Sequence, residues 1–455
     1  MKAPLLRSVT FTRLWDKFTQ GSVNRQIFGA ALTIAIASVL VKAGGVAKEL
    51  VVAWRFGTQD DLDAFLIALV IPSFLLTVIS GSFSVALMPQ YIEVREQQGD
   101  RAAQKLFSSA VVLGIVAMTI VTIMMVIATP LYLPWIASGF HPSKLALTTR
   151  LLHTLAPIVI IQGLINLWGA MLQARERFIL TSFTPLITSV ATVFLLMGYE
   201  GWGVFALAIG LVVGFALEAG VLAIALLRCK ISIVPRWYGM TPALRSVTQQ
   251  YFPIILGSLL MGSALLVDQA MAAMLMPGSV AALGYGNRVI ALPLGLATTA
   301  LSTAVLPYFS KMVARGDWKG LRHTLNRYLI GIAIASIPLL LLFTLGSEPI
   351  IQVLFQRGSF GDRDRQLVAQ IQAAFALQIP FYIGALFLVR LISALRINQV
   401  LIWGSGINLT VNIVLNYFFS QWMGITGIAL STTCVYLTSF LFLYTCVHQH
   451  LKRHL

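Results

Sequence analysis

Charge is what this sequence has least of. Only 11% of its 455 residues are Asp, Glu, Lys or Arg, where a soluble globular chain carries about 25%. Cysteine is almost absent. Cys229, Cys434 and Cys446 make no CxxC and no close pair, which excludes a disulfide framework and a thiolate metal site and leaves them as apolar fillers. No HExxH, phosphate-binding glycine loop or GxSxG spacing occurs, and the six histidines are scattered. The sequence therefore offers no catalytic constellation, no metal ligand set and no cofactor motif, and any transport it performs would run without ATP. A short apolar core of the kind found in cleaved signal peptides is also missing from the first 26 residues.

What the chain has instead is hydrophobicity. Apolar residues make up 58% of it and its mean hydropathy is +0.85, which excludes a soluble enzyme and a disordered chain. Apolar stretches fall at 27–54, 64–92, 103–128, 146–174, 178–198, 203–227, 248–275, 280–312, 322–345, 366–395, 400–420 and 424–447. Each is long enough for a membrane-spanning helix of about 20 residues. The fold class expected is an all-α polytopic membrane protein with about twelve transmembrane helices.

The net charge of +16 has a simpler cause than nucleic-acid binding, because cytoplasmic loops collect Lys and Arg. With the N-terminus placed inside, 22 of the 32 Lys and Arg fall on the cytoplasmic side, six outside (Arg55, Lys144, Arg150, Arg357, Arg363, Arg365) and four within spans. Both termini are expected in the cytoplasm. Residues 1–26, with Phe11, Leu14, Trp15 and Phe18 at helical spacing, read as an amphipathic helix lying on the membrane surface.

The chain also repeats itself. Ser84-Val-Ala-Leu-Met-Pro89 returns as Ser302-Thr-Ala-Val-Leu-Pro307, Leu172-Gln-Ala-Arg175 as Ser393-Ala-Leu-Arg396, and Gly203-Val-Phe-Ala206 as Gly424-Ile-Thr-Gly427, at offsets of 218, 221 and 221. Two six-helix bundles follow, 27–227 and 248–447, joined by a cytoplasmic linker at 228–247 and followed by a tail at 448–455. Repeats related by an axis along the membrane normal are typical of transporters that hold substrate between their halves.

The four charges inside spans cost roughly 2.5–3.5 kcal/mol each if they face lipid. Lys42 and Lys48 flank Gly44-Gly45, a pair that permits a helix bend. Arg288 follows Asn287, and Arg390 lies in span ten. Together they suggest a solvated cationic cavity for an anion such as a phosphate or pyrophosphate. Structural ion pairing is the alternative, although the Lys48 and Glu49 side chains leave the helix about 100° apart and are not expected to pair. Asp268, Glu218 and Glu49, acids inside spans, are candidates for ion coupling or counter-charge. Gly210 and Gly214 fit a small-xxx-small packing pattern. Pro72, Pro157, Pro253, Pro293 and Pro380 are expected to kink helices.

The order Gly45-Val-Ala-Lys48-Glu49, Phe56-Gly57, Asp63-Ala-Phe65, Pro72, Gly81-Ser-Phe83-Ser84 and Pro89 resembles the lipid II flippase (MurJ/MviN) family. So do Asn287-Arg288 with Pro293 and Leu306-Pro307, and Leu354-Phe355-Gln356-Arg357-Gly358-Ser-Phe360. That family lies in the multidrug, oligosaccharidyl-lipid and polysaccharide exporter superfamily. The resemblance implies two six-helix bundles in the bacterial inner membrane. It implies a flippase, not an enzyme, that serves peptidoglycan or polysaccharide biosynthesis. Such a protein would move a polyprenyl-pyrophosphate-linked saccharide, lipid II or an exopolysaccharide or O-antigen-type unit, to the periplasmic leaflet. It implies anion binding by Lys42, Lys48 and Arg288, at positions where the family carries cavity arginines, with Asp63 and Asn287 orienting them. Membrane lipids and glycan-assembly enzymes would be the partners. The chain departs from the pattern at Leu76-Thr77, where the family has an Arg pair, and at Ala291, where it has Glu. A cation-coupled exporter of the same superfamily and a non-transporting scaffold are the alternative readings.

Overall fold

The structure, a computed structural model, describes the backbone of residues 23–175, 177–229 and 231–453, with side chains from residue 39 onward apart from a few positions. The surface helix expected through Phe11 and Phe18 lies outside these residues. No β-strand occurs among those described.

Helices α1 (Val23–Phe56), α2 (Asp60–Leu75) and α3 (Ser82–Gln98) open the chain, and a π-helical turn, Leu76–Gly81, joins α2 to α3. Next come α4 (Asp100–Ile136), α5 (Pro142–Leu155), α6 (Pro157–Ala174), α7 (Phe178–Phe183), α8 (Pro185–Gly198) and α9 (Val204–Arg228). The second half contains α10 (Pro242–Ala273), α11 (Ser279–Ala314), α12 (Trp318–Leu345), α13 (Ser347–Phe355), α14 (Asp362–Ala376), α15 (Ile379–Ala394), α16 (Gln399–Met423) and α17 (Ile425–Lys452). Among the described residues ten runs are long and apolar enough to cross a bilayer, or eleven when α14 and α15, bent by 42°, count as one span. Helix α1 covers the stretch expected for the first span.

The solvent of this fold is visible on α4. Val116, Ile120, Ile123, Met124, Ile127, Leu131 and Trp135 are all exposed at spacings that keep them on one side. A helix with so apolar an exposed face suits lipid, where backbone hydrogen bonds must close within the segment.

The internal repeat appears in the backbone. Gly203 caps α9 at φ 53°, ψ −133°, and Gly424 caps α17 at φ 59°, ψ −136°. Residues other than glycine rarely adopt these angles, so the paired glycines fix equivalent helix entries. Prolines break equivalent spans as well. Pro157 opens α6 after α5, and Pro380 stands in the first turn of α15 after α14. Proline lacks the N–H a helix interior needs, and its ring crowds the carbonyl four residues back.

The chain forms two compact units. Unit 1 contains residues up to Glu49, Ile79–Thr122 and Leu155–Tyr251, and unit 2 contains Leu50–Val78, Ile123–Thr154 and Phe252–Leu455. Passage between them happens within or beside helices. One boundary falls inside the π turn, another two residues before Pro157 and a third just before Pro253. The core of unit 2 packs Phe309, Leu321, Leu325, Phe387, Leu391 and Val447, with the Phe309 and Phe387 rings edge to face at 5.2 Å.

Unit 1 holds α8 against α9 through the small-residue pattern expected there. A Cβ on Gly210 would stand 3.0 Å from Thr192 Cα, and one on Gly214 would stand 2.8 Å from Thr188 Cα. A Cβ on Gly220 would meet nothing within 4 Å. Gly214→Leu should therefore cost about 1–3 kcal/mol of overpacking and lower the thermal midpoint in detergent by several degrees, while Gly220→Leu leaves it unchanged. Equal midpoints for the two variants would show that this close approach does not hold the helices.

Candidate functional site

Unit 2 draws its most concentrated polar contacts from both halves of the sequence. Asp63, in the first turn of α2, is 1% exposed. Its carboxylate accepts the backbone N–H of Gly278 at 2.7 Å and of Ala281 at 2.8 Å. These are free donors at the start of α11, so Asp63 caps that helix from outside and meets the positive end of its dipole. Lys144 Nζ completes the group at 3.1 Å from Asp63 and 2.5 Å from Asp60, with the Phe140 ring 4.1 Å away.

Around this clasp, backbone meets backbone. Ser359 N–H donates to Trp54 O at 2.8 Å, and Thr58 Oγ1 donates to Asp364 at 2.5 Å. Gly57 (φ +51°), Gly278 (φ +85°) and Gly358 (φ +57°) face the backbones of Ser359, Thr58 and Trp54 so closely that a Cβ on any of them would collide. Glycine meets both demands here, positive φ and close approach. The segment Gln356–Phe360, which carries part of the family resemblance, thus docks on the end of α1. Phe355 and Phe360 pack on buried Tyr285 at 5.2 and 5.6 Å.

Asp63 is accordingly engaged by α11 and Lys144. Arg288, one turn beyond Tyr285, is half-buried with its guanidinium 5.7 Å from the Tyr285 ring centroid. Asn287 is exposed on the same helix and lines a cavity of about 340 Å³ together with Asp268. Asp268 Oδ1 accepts from Asn412 Nδ2 at 2.9 Å and Asn416 Nδ2 at 2.7 Å. Gln269, Gln378 and Tyr436 share the lining. The structure thus brings Asp268 and Asn287 together. Arg390 is half-buried on α15 and does not line this cavity.

The other expected residues belong to unit 1. Lys42 is exposed on α1. Lys48 and Glu49 do pair, Nζ to Oε1 at 3.3 Å, against the expectation from their 100° separation. Long stems reach around the helix where Cβ directions alone do not. Helix α1 runs unbroken through Gly44-Gly45. Gly44 gives close approach, since a Cβ there would collide with Leu186 Cδ1, and Gly45 faces open space. Glu218 accepts from Thr188 Oγ1 at 2.8 Å and lines a separate cavity.

Sequence reading missed Lys144, which the charge tally counted as an outer-loop cation, and Asn412 and Asn416. The latter stand four residues apart in an apolar span, a spacing that puts two amides on one helix face. That spacing was a usable signal.

Comparison with known proteins follows the same lines. A family description, "Lipid II flippase MurJ", matches residues 52–455. A Synechocystis protein described as a probable lipid II flippase MurJ is 28% identical over 92% of this chain and 81% of its own length. A Vibrio cholerae protein of the same description is 26% identical over 95% and 85%. Among solved structures, the inward closed conformation of lipid II flippase MurJ superposes with a TM-score of 0.80 at 23% identity, covering 92% of this chain and 87% of that one. An inward-facing MATE family multidrug resistance transporter of the MOP superfamily gives 0.74 at 12% identity, over 93% and 99%. The structural likenesses establish the fold.

Asp63→Ala would leave two helix-start N–H groups without their acceptor and Lys144 with Asp60 alone. An unsatisfied buried donor costs about 1–3 kcal/mol, so this variant should lose several degrees of thermal stability. Asp60→Ala, removing an exposed partner, should lose little. If the two variants melt together, Asp63 does not carry the clasp.

Proposed function

The chain belongs to the lipid II flippase MurJ family, and from that premise we propose that it flips a polyprenyl-pyrophosphate-linked saccharide, of the lipid II class, from the cytoplasmic to the periplasmic leaflet of the bacterial inner membrane. Both termini face the cytoplasm in this reading. Alternating access by the two six-helix halves, 27–227 and 248–447, runs through a cationic cavity in the same reading.

The observation that carries the proposal is the clasp. Alternating access needs a closure on one side that can open. Asp63, Thr58, Trp54 and their partners make one from hydrogen bonds and glycine contacts, which separate more readily than an interlocked apolar core. By the charge tally these residues lie toward the periplasm, so the closure suits a carrier loading from the cytoplasmic leaflet.

Lys42, Lys48 and Arg288 supply the charge that a pyrophosphate requires, and Arg390 adds to it toward the inner half of span ten. Glu49 holds Lys48 until an anion with more oxygen acceptors replaces it. Lysine offers a point charge where arginine would offer a fork, which suits a diphosphate that shifts position during transport. Asn287 is placed for hydrogen bonds to sugar hydroxyls or phosphate oxygens. Asp268, between Asn412 and Asn416, is the candidate for coupling to a cation gradient. Glycan-assembly enzymes that make or use the lipid-linked unit are the expected partners.

Reconstituted in liposomes, the wild type should move a labelled polyprenyl-pyrophosphate disaccharide across the bilayer. Lys48→Ala and Arg288→Ala should each slow this by at least about tenfold, the order expected for losing one charge-assisted contact of 1.5–3 kcal/mol, with unchanged size-exclusion profiles. Wild-type flipping by both variants would overturn the assignment, and efflux of a cationic dye in its place would favour an exporter. Asp268→Asn should remove any dependence of flipping on an imposed cation gradient.

A further inference from the structure

In unit 1, α8 and α9 pack as an antiparallel ladder of regular four-residue steps. Gly210 meets Thr192 and Gly214 meets Thr188. The next step on α9 is residue 218 and the next on α8 is Thr184. A third glycine would continue the packing there. The chain places Glu218 instead, 3% exposed, accepting from Thr188 Oγ1 at 2.8 Å.

The ladder opens at this step. Glu218 faces a cavity of about 520 Å³. Ser84 of α3, Gln162, Asn166 and Gln173 of α6, and Thr181 and Thr184 of the α7–α8 segment line it. Asn166 Nδ2 donates to Ser80 Oγ at 3.0 Å, anchoring this wall to the π turn. Gln162 keeps a buried Oε1 that accepts no hydrogen bond. Among the described residues, Glu218 is the only titratable or charged one in the lining. Helices α6 and α8, packed on α9, contain no Asp, Glu, Lys, Arg, His, Cys or Tyr at all.

A carboxyl kept purely as structure would be enclosed by its donors and dry packing. This one adjoins amides and hydroxyls, groups of the kind that give a buried water its two to four polar partners. They continue from Glu218 to Gln173 and Thr181, within a few residues of the helix ends at Arg175 and Arg177. A lone carboxylate at membrane depth is costly, and one with a wet path to the helix ends can lose that cost by taking up a proton. We propose that Glu218 and its cavity form a proton-binding site within unit 1, reached through Gln173 and Thr181 and separate from the Asp268 cavity of unit 2.

The site can be tested without cargo, so its failure and the failure of the flippase reading are distinguishable. Infrared difference spectra of the full-length protein in liposomes, recorded as the pH is stepped between about 3 and 9 to cover the ordinary carboxyl range and the raised values of buried carboxyls, read the C=O stretch of a protonated carboxyl directly. A band that titrates in the wild type, persists in Asp268→Asn and disappears in Glu218→Gln is the expected result. Gln173→Leu together with Thr181→Val, which make the path apolar, should slow the rise of that band several-fold after a pH jump. Three results overturn the proposal: a Glu218 band present at every pH, no Glu218 band at any pH, or a band that responds to sodium ions and not to protons.

Discussion

A buried carboxylate holding two backbone N–H groups of another helix is the constraint on which unit 2 is built. Asp63 lies on α2 and the N–H groups that donate to its carboxylate lie at the start of α11, more than 200 residues away. Once that pair is fixed, the α11 start must lie against Thr58, and the turn after α13 must lie against Trp54. The positive-φ glycines at 57, 278 and 358 follow from this closeness. Four hydrogen bonds join the 54–63 segment to the second half of the chain among the described residues. At about 1 kcal/mol net for the neutral bond and 1.5–3 for each of the three to carboxylates, they come to about 5–10 kcal/mol. Reversing a two-state equilibrium from 99:1 to 1:99 takes about 5.5 kcal/mol. A closure of this size lies within what a tightly bound ligand can offset.

The two units handle membrane-embedded acids in different ways. Asp268 sits between amides, which donate without charge and keep the carboxylate engaged at one oxygen. Glu218 sits where a packing ladder loses its glycine, against the Thr188 hydroxyl, which can donate or accept as the carboxyl's own protonation changes. The lysines of α1 differ again, and the pairing of Lys48 with Glu49 lowers the cost of charge at that depth without burying it in a rigid site.

Much of this was legible from the amino acids. Apolar stretches marked the helices because lipid demands long uninterrupted runs, and the recurring Gly203 and Gly424 motifs foretold matching cap geometry. The Gly210–Gly214 spacing announced a close helix contact, and the structure supplies its partner at Thr188 and Thr192. The clasp was harder. Phe56-Gly57, Asp63 and Gln356–Phe360 carry the family resemblance, yet nothing local says that they meet, because their contacts close loops of hundreds of residues. Lys144 looked like an outer-loop charge, and only the fold shows it against Asp60 and Asp63. The Lys48–Glu49 pair was misjudged from helix geometry, which fixes Cβ directions and leaves long side chains free to turn.

The positions of the interrupted helices bear on mechanical compliance. Three boundaries between the units fall at or beside the π turn, Pro157 and Pro253. At each, the ladder of backbone bonds is shifted or lacks a donor, so bending there sacrifices less than it would in an intact helix. Stiff segments on either side then behave as levers with fixed arms. Flexure at these joints is covalently specified, and the helix on either side can stay fully bonded in hydrocarbon, where a molten loop would expose amides that lipid cannot satisfy.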